Sequence, residues 1–239
     1  MALRVAALAD VHGNAPALAA VLEEVERESP DLVVFCGDLT WGSLPQETLA
    51  LVRSLQIPAR CVRGNADRAV GNDLEGRGAW MASVHTPEDR AFLASFEPTI
   101  SVDVDGLGLT CFSHGSPRSD EECVTERTPA ERVHEFMAGR AERVVVTAHV
   151  HLQYDRTVDG IRCLSPGSVG LPYGEGGYAF WGLLGPDVEL RRTAYDIERA
   201  VALVRATDDP RVDVIVGMLL APPTREEVIE DAERRVFAG

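Results

Sequence analysis

The chain has 239 residues, 45% hydrophobic and 26% charged, the balance of a globular protein with room for one large α/β domain. A formal net charge of −15 without a visible Lys/Arg cluster excludes the basic stripe of a nucleic-acid binder, so no nucleic-acid polymer is expected as a partner. Bound divalent cations would add local positive charge that the formal count omits.

The apolar run Leu3 to Ala9 reads as a short buried strand that ends in Asp10-Val11-His12-Gly13-Asn14. A carboxylate and an imidazole two residues apart then sit at the carboxyl edge of a sheet, where open α/β sheets bind their ligands. Asn14 is a suitable N-cap for a helix in which Leu18, Val21, Leu22 and Val25 follow helical spacing. Leu32 to Cys36 is a second strand stopped by Gly37-Asp38, which predicts a parallel βαβ start. Ser43-Leu44-Pro45-Gln46 reads as a capping box for a helix through Leu55, and Ile57 to Val62 as a third strand stopped by Arg63-Gly64-Asn65-Ala66-Asp67.

Residues 68 to 85 carry glycines and weak periodicity, so a loop over the sheet edge is expected. Thr86-Pro87 and Thr128-Pro129 open helices, and the Asp105-Gly106, Asp159-Gly160 and Gly185-Pro186 pairs mark hairpin turns. Strands ending in Ser113-His114-Gly115 and Ala148-His149-Val150-His151 lie between them. From about Tyr195 the pattern is helical, with Pro222-Pro223 separating two helices, the second opened by a Thr224/Glu227 capping box. The strands fall into two batches, 3 to 62 and 100 to 194, which predicts two packed sheets flanked by helices.

Cys36, Cys61, Cys111, Cys123 and Cys163 form no C-x-x-C pair, and four lie in apolar runs, as buried thiols of a reducing compartment do. No signal-peptide pattern opens the chain and no run approaches a membrane span, so the cytoplasm is the expected compartment and no membrane partner is expected.

The polar residues that end apolar runs are Asp10, His12, Asp38, Asn65, Asp67, His114, His149 and His151. Edge-of-sheet loops collect Asp and Asn as turn formers. Here, however, four of the six histidines join them. Oxygen donors mixed with imidazoles, without a thiolate, suit first-row divalent ions such as Mn, Fe or Zn better than Ca or Mg.

The ordered set Asp10-Val11-His12, Gly37-Asp38, Gly64-Asn65-Ala66-Asp67, His114-Gly115 and Ala148-His149-Val150-His151 resembles the calcineurin-like metallophosphoesterases. Their pattern runs D-x-H, G-D, G-N-H-(D/E), a histidine often followed by glycine, and G-H-x-H. The Pro166-Gly167-Ser168 loop resembles that of the small bacterial and archaeal phosphodiesterase branch. The resemblance implies a four-layer αββα sandwich of two mixed sheets flanked by helices over residues 1–195, and the helical pattern of 196–239 reads as a C-terminal extension that the resemblance does not cover.

The resemblance further implies a dinuclear site of two divalent metal ions (Mn, Fe, Zn, Ni or Co). Asp10, His12, Asp38 and His151 would hold one ion, and Asp38, Asn65, His114 and His149 the other. The activity implied is hydrolysis of a small-molecule or nucleotide phosphate ester, a diester ahead of a monoester or a pyrophosphate. A non-catalytic interaction scaffold is the alternative from another class, and it would be marked by lost ligands.

Two departures from the family pattern stand out. Ala148 replaces a glycine, and Ala66 replaces the histidine commonly placed near the leaving group. Asp67 and His85 are then the candidate catalytic acids, with Asp67 expected to be an exposed and therefore ionised carboxylate. Trp41 and Trp80 are candidates for a pocket wall. Arg63 and Arg68 are expected to pair with surface carboxylates, and His134 to lie on the surface.

Overall fold

The computed structural model describes residues 2–72 and 75–235. β1 (Val5–Leu8), α1 (Ala15–Glu28), β2 (Leu32–Cys36), α2 (Pro45–Ser54) and β3 (Ala59–Val62) form the parallel start, with Val5 opposite Leu32 and Phe35 opposite Cys61. α3 (Asn65–Ala69), α4 (Gly76–Val84) and α5 (Pro87–Ala94) follow, then β4 (Thr99–Val104), β5 (Gly108–Ser113), α6 (Ala130–Phe136), β6 (Val144–Val146), β7 (Gln153–Val158) and β8 (Ile161–Pro166). The chain finishes with β9 (Tyr178–Leu184), β10 (Val188–Ala194), α7 (Ile197–Arg205), α8 (Val212–Leu220) and α9 (Arg225–Arg234).

Two mixed five-stranded sheets result, in the orders β10-β9-β1-β2-β3 and β4-β5-β6-β8-β7. Strand side chains alternate between faces, and β1 shows the consequence. Val5 and Ala7 enter the layer between the sheets with Val34, Phe112, Val146 and Leu164, whereas Ala6 and Leu8 face Leu18, Val21 and Leu49 of the helices outside. The outer face of the second sheet, through Cys111, Val145 and Cys163, is covered by Val133 and Phe136 of α6 and by Ile229 and Ala232 of α9. Helices, sheet, sheet, helices is the four-layer sandwich expected from the sequence.

The assignment of strands to sheets departs from that expectation. The hairpin β9–β10 returns to the first sheet, β9 pairing antiparallel with β1, instead of joining the second batch. Its apolar residues suit either sheet, and only the tertiary contact of Trp181 and Leu183 with the first helical layer decides. Residues 73 and 74 of the expected 68–85 loop lie outside the described residues, and the described part of that stretch is largely helical. That part includes the end of α3 and all of α4, which lacks strong periodicity and is held by packing Met81, fully buried, and Trp80 against the core.

Two further expectations are corrected. Ser43 does not cap α2, whose N-cap is Leu44 with Pro45 in the first turn, because its hydroxyl donates to Asp209 Oδ2 at 2.8 Å. The C-terminal region contains three helices, since Pro210 lies between α7 and α8 and cannot continue a helix. The first of them, α7, packs on α1. Among the described residues, no helix is long and apolar enough to cross a membrane.

Candidate metal centre

All seven ligands expected from the sequence fall at carboxyl ends of strands. Asp10 and His12 follow β1, Asp38 follows β2, Asn65 follows β3, His114 follows β5, and His149 and His151 follow β6. Among the described residues seven non-glycine residues have positive φ, and five of them are Asp10, His12, Asp38, His149 and His151. That backbone region is costly for side chains with a Cβ, and such costs concentrate at functional sites. Gly64 is required for a different reason. A Cβ there would collide with Asp38 Oδ1 and its backbone nitrogen.

The ligands gather into two groups, Asp10, His12 and His151 in one and Asp38, His114 and His149 in the other, with the donor atoms of each group within 4.8 Å of one another. Asn65 Oδ1 joins the second, 3.0 Å from His114 Nε2. Asp38 reaches both groups, with Oδ2 3.6 Å from His12 Nε2 and Oδ1 3.4 Å from His114 Nε2.

Backbone carbonyls orient three of the rings. Nδ1 of His12 meets Trp41 O at 3.2 Å, Nδ1 of His114 meets Cys36 O at 2.9 Å, and Nδ1 of His151 meets Leu171 O at 2.7 Å. A carbonyl can only accept, so each Nδ1 carries the hydrogen, and in His12 and His151, which burial keeps neutral, Nε2 presents its lone pair inward, the arrangement of metal-ligating histidines. As a result, Nε2 of His12 and Nε2 of His151 confront each other at 3.2 Å. Two lone pairs at that distance repel unless a cation lies between them. Metal–nitrogen bonds of about 2.0–2.1 Å at a tetrahedral angle place two ligand nitrogens roughly 3.3 Å apart. Asp10 Oδ1 adds a buried oxygen without a hydrogen-bond partner, 3.5 Å from His151 Nε2. The residues present therefore fit divalent metal ions.

The electrostatics agree. Burial holds His12 and His151 below the ordinary imidazole range, and burial together with the charge of His114 pushes His149 down to about 4. Neutral imidazoles are the ligating form, and His114 departs from it, because the charges of Asp38 and Asp10 outweigh burial and push it up to about 10. Burial raises Asp10, with the neighbouring Asp38 charge adding to it. Asp38 lies below the usual carboxylate range because the three histidines His114, His12 and His149 outweigh the burial that opposes them.

The surrounding loops brace this geometry. Ser168 Oγ donates to Asp10 O and accepts from Leu171 N, both at 2.8 Å, so the Pro166-Gly167-Ser168 loop stitches the first ligand to the carbonyl that orients His151. Asp67 is 3% exposed and lies inside the brace. Its oxygens accept from Asp38 N at 2.8 Å, Leu39 N at 2.9 Å and Gly64 N at 2.9 Å. The expectation of an exposed, ionised Asp67 is thus corrected. Burial and the Asp38 charge push its carboxyl up to about 7, while both oxygens are occupied by backbone donors. His85 is likewise turned inward, 3% exposed, with Nδ1 on Met81 O at 2.7 Å and Nε2 on Thr40 Oγ1 at 3.0 Å. Neither of the two candidate acids borders the cavity at the metal centre.

That cavity, about 510 Å³, opens from His12, Asp38, His149 and His151. One wall holds Trp41, Leu171 and Tyr173, the last stacked on the His151 ring at 4.5 Å. The other comes from α8 and α9, through Ile215, Met218 and Ala232. Of the tryptophans, Trp41 lines the cavity and Trp80 donates to Asp208 at 2.9 Å. Arg68 pairs with Asp120 and Glu121, as expected of a surface cation. The wall residues and Arg77, which also lines the cavity, carry no motif. α4, which carries Arg77, and α8 and α9 reach the cavity only in the folded chain.

The comparisons extend this picture. An uncharacterized protein of Methanocaldococcus jannaschii is 26% identical over 225 residues, covering 82% of this chain and 89% of that relative. A hypothetical protein from Pyrococcus horikoshii superposes with a TM-score of 0.76 at 19% identity, covering 90% of this chain and 97% of its own. A metallophosphoesterase from Sphaerobacter thermophilus does so at 0.75 and 24%, covering 93% of this chain and all of its own. Alignments of that length extend beyond residue 195, so the shared fold includes part of the C-terminal helices. The model of the calcineurin-like phosphoesterase superfamily domain matches residues 3–182, the stretch that carries all seven candidate ligands. With the motifs, the double-sheet fold and the paired ligand groups in agreement, the chain belongs to the calcineurin-like phosphoesterase superfamily.

Proposed function

We propose that the protein is a dinuclear metal-dependent hydrolase of phosphate esters, acting on small-molecule or nucleotide phosphodiesters ahead of monoesters. One observation carries the reading. The imidazoles of His12, His114, His149 and His151 and the carboxylates of Asp10 and Asp38 form two adjacent candidate ligand groups, and His12, Asp38, His149 and His151 of these line a cavity.

Asp10, His12, Asp38 and His151 would hold one cation, and Asp38, Asn65, His114 and His149 the other. When bound, two divalent ions such as Mn, Fe, Zn, Ni or Co supply positive charge that stabilises the phosphoryl oxygens through an in-line displacement. The chain's own contribution is positional. Asp38 lies between the two ligand groups, the backbone carbonyls fix the ring tautomers, and Asp67 holds the turn that presents Asp38. Tyr173, Trp41 and the apolar side chains of α8 restrict the water around a bound ester.

The test is hydrolysis of a panel of phosphomonoesters and phosphodiesters by the protein supplied with Mn, Ni, Co or Mg. Turnover of diesters above monoesters is expected. Absence of turnover on every ester with every metal would refute the reading.

A further inference from the structure

Arg77 and Arg211 meet around Asp209, a carboxylate with no exposed side-chain surface. Arg77 Nη2 donates to Asp209 Oδ2 at 2.7 Å, Ser43 Oγ donates to the same oxygen at 2.8 Å, and Arg211 N donates to Oδ1 at 2.8 Å. Asp209 belongs to the segment between α7 and α8, Ser43 to the segment before α2, and Arg77 to α4. Three separate parts of the chain thus lock one guanidinium in place. Both arginines line the cavity that begins at the metal ligands.

A tether between α4 and the C-terminal helices would explain an ion pair, but not its position. Arg77 carries its positive charge into the cavity that His12 also lines. One buried carboxylate pairs with Arg77, and Arg211 lines the same cavity, whose lining also includes Glu227, Asp231 and Arg235. Arginine presents several fixed donors, and a single Nη2 contact with Asp209 leaves this fork able to receive a planar oxyanion. The same cavity has an apolar part of its lining in Ile215, Met218, Leu171 and Tyr173.

Resting on the phosphoesterase reading, we propose that Arg77 and Arg211 form an anion-binding subsite for the non-reacting half of the substrate. The preferred substrate is a phosphate ester whose second group has an apolar body and ends in a carboxylate or phosphate. Asp209 is a positioning residue in this arrangement, since it reaches the substrate only through Arg77.

The experiment compares two 4-nitrophenyl phosphodiesters with the metal-loaded protein, one bearing a plain phenyl group and the other a carboxylated phenyl group. The wild type is expected to favour the carboxylated ester by about ten-fold in kcat/KM, as charge-assisted hydrogen bonds to a desolvated anion allow. Arg77→Met should abolish the ratio and Arg77→Lys should retain part of it. Arg211 is exposed, so Arg211→Met keeps the test usable if loss of Arg77 prevents folding, and it should reduce the ratio. Equal kcat/KM for the two esters in the wild type, or an unchanged preference in both methionine variants, would overturn the subsite and leave the phosphoesterase reading intact. Hydrolysis of neither ester would overturn that reading and the subsite with it.

Discussion

Nε2 of His12 and Nε2 of His151 face each other at 3.2 Å, with each ring pinned at Nδ1 by a backbone carbonyl. Neither ring can turn away without abandoning its carbonyl, and burial disfavours protonation of either. The fold therefore stores a repulsion that a bound cation relieves. Chelation is expected to lower Tm, and divalent metal to restore it. A ligand that binds only the native state at about 100 times its Kd adds about 2.7 kcal/mol. Calorimetry with and without chelator checks this, and an identical Tm in both would contradict it.

Asp38 lies between the two ligand groups and also accepts from Ala66 N at 2.9 Å. On the proposed function, Asp38→Asn would remove the charge that two bound cations share, and it should cost more activity than any other change among the candidate ligands. Loss of a residue that merely orients a ligand costs roughly 10- to 100-fold, so a loss beyond about 100-fold is expected here. Metal content and turnover of the variant check this together. Retention of both metals with near-wild-type turnover would remove Asp38 from its shared position.

With Asp67 and His85 both turned inward and Ala66 a methyl group, no side chain among these three is placed to protonate a leaving oxygen. A general acid contributes roughly 100- to 10,000-fold. Rates should therefore depend steeply on leaving-group pKa across substituted phenyl phosphodiesters. His85→Ala should leave that slope unchanged, and Asp67→Asn should lower all rates in parallel by disturbing the turn at Asp38. A shallow slope in the wild type would identify an acid elsewhere, and a slope altered by His85→Ala would contradict the inward placement.

Asp89 supplies a prediction away from the metal centre. It is 1% exposed and accepts from Gln46 Nε2 at 2.8 Å, Thr86 N at 2.9 Å and Arg53 Nη2 at 2.6 Å. Burial opposes its charge, but these donors hold the carboxyl well below the usual range. A folded-state pKa below that of the unfolded chain gives a contribution fully present above about pH 4 and lost as pH falls towards the folded value. Asp89→Ala should cost about 2 kcal/mol near neutrality. The gap between variant and wild type in denaturant titrations should narrow at about pH 3. A gap independent of pH would contradict the assignment.

The sequence revealed the metal centre better than its surroundings, and the reason is physical. Ligand residues at strand ends are local features. The apolar run before Asp10 makes the strand, Gly37 makes the turn at Asp38, and Gly64 leaves room for Asp38 just before Asn65. The return of β9 to β1 and the helical state of residues 76–84 depend on distant packing partners such as Trp181 and Met81, which leave no local pattern. Asp67 shows the same limit. Its neighbours in sequence are those of an exposed turn residue, and only the folded turn places three backbone donors around it. The cavity wall from α8 and α9, with Arg77 held through Asp209, is the most remote case, since its parts come from opposite ends of the chain.

Metal stoichiometry combined with turnover tests the central claim most directly. The purified protein is analysed for metals, stripped with chelator, and returned to Mn, Ni or Co while hydrolysis of bis(4-nitrophenyl) phosphate is followed. The account predicts about two divalent ions per chain, loss of both ions and activity on chelation, and recovery of both together on reconstitution. Full hydrolysis by the thoroughly demetallated protein, or a reconstituted protein that binds no metal at His12 and His151, would contradict it.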